Sequence, residues 1–174
     1  MPGARVPAVQ SHEFSFDVEG TPEEVWRALH PPLRKDSVIE HGDVRIEIVF
    51  PGDADGLGLV RHCTFRVPKY LLSGGRARSW EVITESRPGE YSRYAAVGKP
   101  LWSRATGWHR LEALDGEPAR TRVTFGETYE AFHPLARRLL EARVHRFISK
   151  DNDVLVRRAV ERGVAAQRER QARA

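Results

Sequence analysis

Glu13-Phe-Ser-Phe-Asp-Val-Glu-Gly-Thr-Pro-Glu-Glu-Val-Trp26 changes its period halfway along. Phe14, Phe16 and Val18 alternate with polar neighbours, the two-residue repeat of a half-buried strand. After Gly20 the signals turn helical. Thr21 can serve as N-cap, Pro22 suits the first helical position, and Glu24 completes a capping box. The helix is expected to run through Val25 and Trp26 to Leu29. His30-Pro31-Pro32 stops it, because proline lacks an amide hydrogen and crowds the preceding turn. Leu33 to Val38 is expected to form a second short helical turn.

A run of strands is expected downstream of this unit. Val44 to Phe50 alternates in part, and Pro51-Gly-Asp-Ala-Asp-Gly56 is a turn cluster. Gly58 to Val67 alternates again, with Cys63, Phe65 and Val67 on one face. Lys69 to Gly75 reads as a loop. Arg76 to Ser86 is a strand, Arg87-Pro88-Gly89-Glu90 a tight turn, and Tyr91 to Val97 the return. Ser103 to Ala113 and Thr121 to Ala131 close the series, joined through Leu114-Asp-Gly-Glu-Pro118. From Pro134 to about Arg162 the pattern is one long helix, with Ala136, Leu140, Val144, Phe147 and Leu155 as its apolar stripe. His133-Pro134 supplies a start and Gly163 a stop.

The fold class expected is α+β. A curved antiparallel seven-stranded sheet wraps a long C-terminal helix, with two short helices between the first and second strands. Hairpin connections allow such a sheet to curl, and the helix covers its concave face. Residues 1–12 are expected to be flexible, 13–162 to form the single domain, and the polar stretch 163–174 to fray. Such a wrap encloses a cavity between sheet and helix, a common place for a small molecule.

Four segments, in this order, resemble the START-like (SRPBCC) superfamily, whose domains have the helix-grip fold. They are Phe16-Asp-Val-Glu-Gly-Thr-Pro-Glu-Glu-Val-Trp26, Gly56-Leu-Gly-Leu-Val-Arg61, Trp80-Glu-Val-Ile-Thr-Glu-Ser-Arg-Pro-Gly-Glu-Tyr91 and Thr121-Arg-Val-Thr-Phe125. The resemblance spans about Glu13 to Arg162 and is nearest to bacterial members described as polyketide cyclase/dehydrase or lipid transport proteins. It implies a helix-grip domain with an internal hydrophobic cavity. It does not choose between lipid carriers, hormone receptors and aromatase/cyclases, all of which use this fold.

Composition narrows the class. The 174 residues suffice for one domain with a core, and 40% apolar with 30% charged residues is ordinary for a globular protein. No stretch approaches the ~20 apolar residues of a membrane span, and no membrane insertion is expected. Met1 to Pro7 lacks the apolar core of a signal peptide, and the single cysteine fits a reducing compartment, so a cytoplasmic location is expected. The net charge is +4, and of the 28 basic residues only Lys35, Lys69, Lys99 and Lys150 are lysines. The arginines are spread along the chain and interleaved with acids. That is unlike a nucleic-acid footprint, and no nucleic-acid partner is expected. A monomer or homodimer is expected.

Chemistry-bearing motifs are scarce. The chain has no P-loop, no His-Glu-x-x-His zinc motif and no Gly-x-Ser-x-Gly elbow. Neither a metal nor a cofactor is expected. His62 and Cys63 are strand neighbours pointing to opposite faces, so they share neither a ligand nor a proton. Alternation puts Arg61, Cys63 and Phe65 on the inner face. Phe125, Glu127 and Tyr129 share one face of the last strand and line the cavity if that face is turned inward, and Tyr94 and His109 are the candidates from the strands before it. Phe147 and Asp151 join them from the helix, and Trp102 sits in a loop at a cavity entrance. These are the expected ligand-binding residues. Glu127, His109 and Tyr129 are the candidates for acid–base work, which needs a group titrating near the working pH. A buried carboxylate needs a partner, and Arg61 or His109 would supply it for Glu127.

Three functions remain open at this stage. The first is binding of a small hydrophobic or amphipathic ligand such as a lipid or polyketide. The second is an aromatase/cyclase or dehydratase using the same cavity. The third is a non-catalytic interaction module whose cavity is filled by side chains.

Overall fold

In the computed structural model, which describes residues 9–150 and 152–173, one antiparallel sheet of eight strands curls around the C-terminal helices. The strands are β1 (Gln10–Glu19), β2 (Val38–His41), β3 (Val44–Phe50), β4 (Val60–Arg66), β5 (Arg76–Arg87), β6 (Tyr91–Lys99), β7 (Ser103–Leu114) and β8 (Arg120–Ala131). Helix α1 (Pro22–Leu29) follows β1. After β8 come α2 (Pro134–Ala136), a π-helical turn (Arg137–Glu141), α3 (Ala142–Ser149) and α4 (Asn152–Ala172). The sheet order is β1-β8-β7-β6-β5-β4-β3-β2. Hairpins link β2 through β8 in turn, and β1 returns to pair with β8, Phe16 opposite Val123.

The opening segment behaves as its sequence dictates. Thr21 caps α1, and the reciprocal bond from the Thr21 amide to Glu24 Oε2 is 2.9 Å long. The α1 stripe buries Val25 and Trp26 against Phe16, Val18 and Val123 of the sheet and Val160 of α4. A smaller cluster, Ile48, Leu59 and Ile83, seals the neighbouring strands.

Several expectations change. The sheet has eight strands where seven were expected, because Leu33 to Val38 makes no helical turn. A tight turn at Lys35-Asp36 leads directly into β2, which pairs with β3 at the sheet edge. The long helix is not continuous from Pro134. It opens with a π-helical turn, α3 runs to Ser149, and α4 is described from Asn152. Gly163 does not stop it either, because α4 continues to Ala172 through the stretch expected to fray. A Cβ at Gly163 would stand 2.9 Å from the Ala28 Cβ, so this glycine lets α4 approach α1 closely. At the other terminus β1 begins at Gln10, inside the stretch expected to be flexible.

Two further glycines thin the sheet for aromatic rings. Gly107 lies opposite Tyr94, and a Cβ there would fall 2.3 Å from the tyrosine ring. Gly126 lies opposite Trp108, with a Cβ position 2.4 Å from the indole. Tyr94 covers its glycine on the concave face and Trp108 on the convex one, so each ring lies flat along the strands.

Candidate functional site

The packed clusters fill only one end of the sheet's concave face. The other end holds a cavity of about 600 Å³, bounded by β3 to β8, α3 and the start of α4. Its walls are mostly apolar, with Ile46, Phe65, Ala96, Ala105, Val144 and Leu155 among them. Its mouth carries exposed Asp43, Arg66, Lys99, Phe147 and Lys150.

One polar station stands on β4, β5 and β6. Glu81 Oε2 accepts hydrogen bonds from Arg61 Nε and Nη2, each at 2.8 Å. Glu81 Oε1 accepts one from the Ser79 hydroxyl, also at 2.8 Å. The guanidinium lies 5.3 Å from the centroid of the Tyr94 ring. Burial acts to discharge Arg61, but the Glu81 carboxylate, with Cys63 and Tyr94 beside it, more than offsets this and its pKa rises. Burial, then the same carboxylate, drives the Tyr94 phenol up, and they push the Cys63 thiol to about 12. Cys63 is therefore an inert thiol in the wall, since the thiolate is the nucleophile. The Arg61–Glu81 pair adds little net stability, because desolvation offsets most of the Coulomb gain. Its consequence for the cavity is a fixed cation that can donate to a carbonyl or carboxylate.

A second polar station faces it from β8 and the helices. Glu127 Oε1 accepts a short hydrogen bond from the Ser149 hydroxyl. Asn152 Nδ2 reaches both Glu127 oxygens at 3.5 Å. His145 Nε2 lies 3.4 Å from Ser149 Oγ and 3.7 Å from Glu127 Oε1. The Tyr129 ring stacks 6.1 Å from the His145 ring. Burial lowers the His145 pKa, only partly countered by Glu127, so the imidazole is neutral near pH 7. Serine, histidine and glutamate together suggest a nucleophilic triad, but the geometry is different. The carboxylate and the hydroxyl both approach Nε2, whereas a triad acid orients the opposite ring nitrogen. What the cluster offers is a carboxylate held among donors, able to accept a proton or a ligand hydroxyl.

The π-helical turn bears on this second station. It adds a residue to one helical turn, as π-turns near functional sites often do. From its last residue onward, Glu141, His145 and Ser149 recur every fourth residue and are buried. Glu141 Oε2 accepts the Ala131 amide at 2.7 Å, tying the helix to the end of β8.

A third polar feature lies between the packed end and the cavity. His30 Nε2 and His109 Nε2 are 3.0 Å apart. The His30 ring stacks on Trp26 with centroids 4.0 Å apart, and Phe125 flanks His109 at 5.2 Å. Burial, followed by the Arg61 charge, lowers His30 to about 4. Burial, His30 and Arg61 lower His109 to about 3. Both rings are neutral at physiological pH, one donating to the other.

The expected binding residues separate accordingly. Arg61, Cys63, Phe65, Tyr94, Glu127, Tyr129 and Phe147 border the cavity. His109 and Phe125 sit behind it in the histidine and phenylalanine cluster, apart from Glu127 and Tyr129. Trp102 stands at the mouth, with Lys99 Nζ 4.5 Å from its ring centroid. Asp151 lies outside the described residues. The partners expected for Glu127 differ as well: Arg61 goes to Glu81 and His109 to His30. Sequence reasoning missed Ser79, Glu81, His145, Ser149 and Asn152. Glu81 was within reach, since alternation around outward Trp80 turns Ser79 and Glu81 inward.

No family profile and no curated protein matches the chain. Solved structures do. The Zhui aromatase/cyclase from a Streptomyces species superposes with a TM-score of 0.61 at 18% identity, covering 96% of this chain and 98% of that one. A START superfamily protein from Mycobacterium smegmatis gives 0.61 at 10% identity, covering 90% and 98%. Ara h 8.0201 gives 0.58 at 19% identity, covering 91% and 99%. At these identities the likeness is one of fold. The architecture is the START-like helix-grip fold that the sequence resemblance implied.

Proposed function

We propose that the chain binds one small amphipathic molecule, of lipid or polyketide size, inside the sheet. The observation that carries this reading is the cavity of about 600 Å³, within the ~300–1,000 Å³ typical of ligand pockets. Its apolar walls would take the body of the ligand. The Arg61 station would hold an acceptor such as a carbonyl, and Glu127 with its donors would hold a hydroxyl. An unfilled volume of this size weighs against an interaction module with a packed interior.

Native mass spectrometry of the protein from its own host, with organic extraction, tests the reading. A stoichiometric apolar adduct is the expected result. A clean apo mass, with no thermal shift across a lipid and polyketide panel, would overturn it.

A second reading makes the same cavity an enzyme site, in line with the aromatase/cyclase among the fold neighbours. The Glu127, His145 and Ser149 cluster favours it, because a carboxylate beside a neutral imidazole can move a proton from a carbon next to a carbonyl. Glu127→Gln would then abolish turnover of a poly-keto substrate while retaining its binding. Equal turnover by the variant would remove this reading and leave the first untouched.

A further inference from the structure

We infer that the open end of the sheet docks on the surface of an anionic lipid bilayer. The strand register gathers four connections at that end. They are the β2–β3 turn, the β4–β5 loop, the β6–β7 turn and the β8–α2 junction. The cavity mouth opens among them, at Arg66, Val67, Lys99 and Leu101.

These connections hold large apolar side chains out in water. Leu72 is 94% exposed and Trp102 is 56% exposed, and Tyr70, Phe132 and Leu135 are more than half exposed. Trp102 and Phe132 are adjacent, since the Phe132 amide donates to the Trp102 carbonyl at 2.9 Å. Leu72 and Trp102 both have left-handed backbone, φ 55° and 47°, which is unfavourable for residues other than glycine. In water Leu72 is left almost fully exposed, and the Trp102 indole has the Lys99 ammonium over one part of its ring and solvent over the rest. A bilayer interface accepts both, and tryptophan and tyrosine favour its headgroup layer.

Charge selects the partner. Residues 66–78, 97–104 and 132–140 contain Arg66, Lys69, Arg76, Arg78, Lys99 and Arg104, with Arg137 and Arg138, and no aspartate or glutamate. Asp43 of the β2–β3 turn pairs with Arg66, and Glu130 at the end of β8 pairs with Arg104 and Arg137, so the cations still outnumber the acids at this end. The opposite end of the sheet is acidic on balance: its connections carry Asp36, Asp53, Asp55, Glu90, Asp115 and Glu117 against Arg34 and Lys35. Basic residues near an anionic leaflet each strengthen binding about fivefold, while acids at the far end stay remote from it. Exposed leucines set among the cations favour a bilayer over a nucleic acid, where flat rings alone would serve for stacking. No helix among the described residues is long and apolar enough to cross a membrane, so the contact is peripheral. It stands whether or not the cavity holds a ligand.

Vesicle co-sedimentation of the full chain tests this. One set of vesicles is pure phosphatidylcholine, and the other contains phosphatidylglycerol in roughly equal part. The chain is expected to pellet with the anionic vesicles alone, and about 1 M salt should release it. Lys69→Glu with Arg78→Glu should weaken binding at least about tenfold. Leu72→Asp should weaken it to a similar degree while leaving the melting temperature unchanged. With Trp102→Phe, the emission shift on vesicle binding should fall while binding persists. Binding of an apolar fluorescent probe to the cavity, measured in the same variants, reports the ligand reading separately. Failure to bind anionic vesicles, or equal binding by wild type and the charge-reversed variant, overturns the inference. So does a chain that ignores vesicles and instead retards duplex DNA.

Discussion

Where β1 and β8 meet α1 and α4, Val25 and Val123 have no exposed surface and Val160 has 1%. At the other end of the sheet, Phe65 and Ala105 of β4 and β7 and Phe147 of α3 border open space. The backbone pairing is alike at both ends, yet one is filled and the other hollow. The difference lies in what the helices present. Against the packed end, α1 and α4 bring Val25, Trp26, Val160 and Val164. Against the hollow end, the π-helical turn and α3 bring Glu141, His145 and Ser149. Those polar groups need partners more than close packing, and that leaves room between them and the sheet.

Substitutions of equal chemistry should therefore differ in effect from one end to the other. Trp26→Ala removes an indole from the packed end and is expected to cost about 3–5 kcal/mol in urea unfolding. Phe65→Ala, in the cavity wall, should cost less than about 1 kcal/mol, because it enlarges a space already present. Similar losses for the two would erase the distinction.

Gly163→Leu should destabilise by about 1–3 kcal/mol, although leucine is the better helix former, because it drives α4 off Ala28. A neutral result would mean that α1 and α4 are not closely packed in solution.

The boundary between the two ends should respond to acid. His30 and His109 have folded pKa values of about 4 and about 3, below the unfolded 6.5. Between these limits the unfolded chain binds more protons, so stability rises with pH. The contribution is complete above pH 6.5 and fades as pH falls toward 4. We expect the two rings together to lose about 2 kcal/mol between pH 6.5 and 5.5, followed by urea midpoints. His30→Leu with His109→Leu should flatten this part of the curve. An unchanged acid slope in the double variant would place the titration elsewhere.

Smallest of all should be the effect of Ala105→Leu on stability, within about 1 kcal/mol, since the added carbons enter the cavity. Its effect on ligand affinity should be much larger, and calorimetry with the extracted ligand would measure both halves of that contrast.

The packed end was the more legible in sequence. Alternation in β1 and β8 and the capping box of α1 rest on apolar periodicity and local hydrogen bonding, which one sequence displays. The hollow end was read mainly on its strand side, where Arg61, Cys63, Tyr94 and Glu127 fall in phase, with Phe147 from the helix. The polar part of its helix side was hidden because buried polar residues interrupt the apolar stripe. Glu141, His145 and Ser149 look like a solvated face until their partners across the chain are known. Gly163 misled for a related reason: glycine marks a helix end or a close approach, and only the neighbouring helix decides. Strand β2 is four residues long at a sheet edge, too short for a period to register.

The pairing of β1 with β8 has a consequence for the making of the protein. Ser15 and Thr124, whose side chains bond across these strands, are 109 positions apart, and Arg168 meets Glu24 across 144. At ~5–20 residues per second, β1 leaves the ribosome roughly 5–20 s before its partner strand exists. During that interval Phe14 and Phe16 have no native surface to cover them. The hairpins from β2 to β7 can close as they emerge, whereas the N-terminal strand and α1 must wait for the last third of the chain.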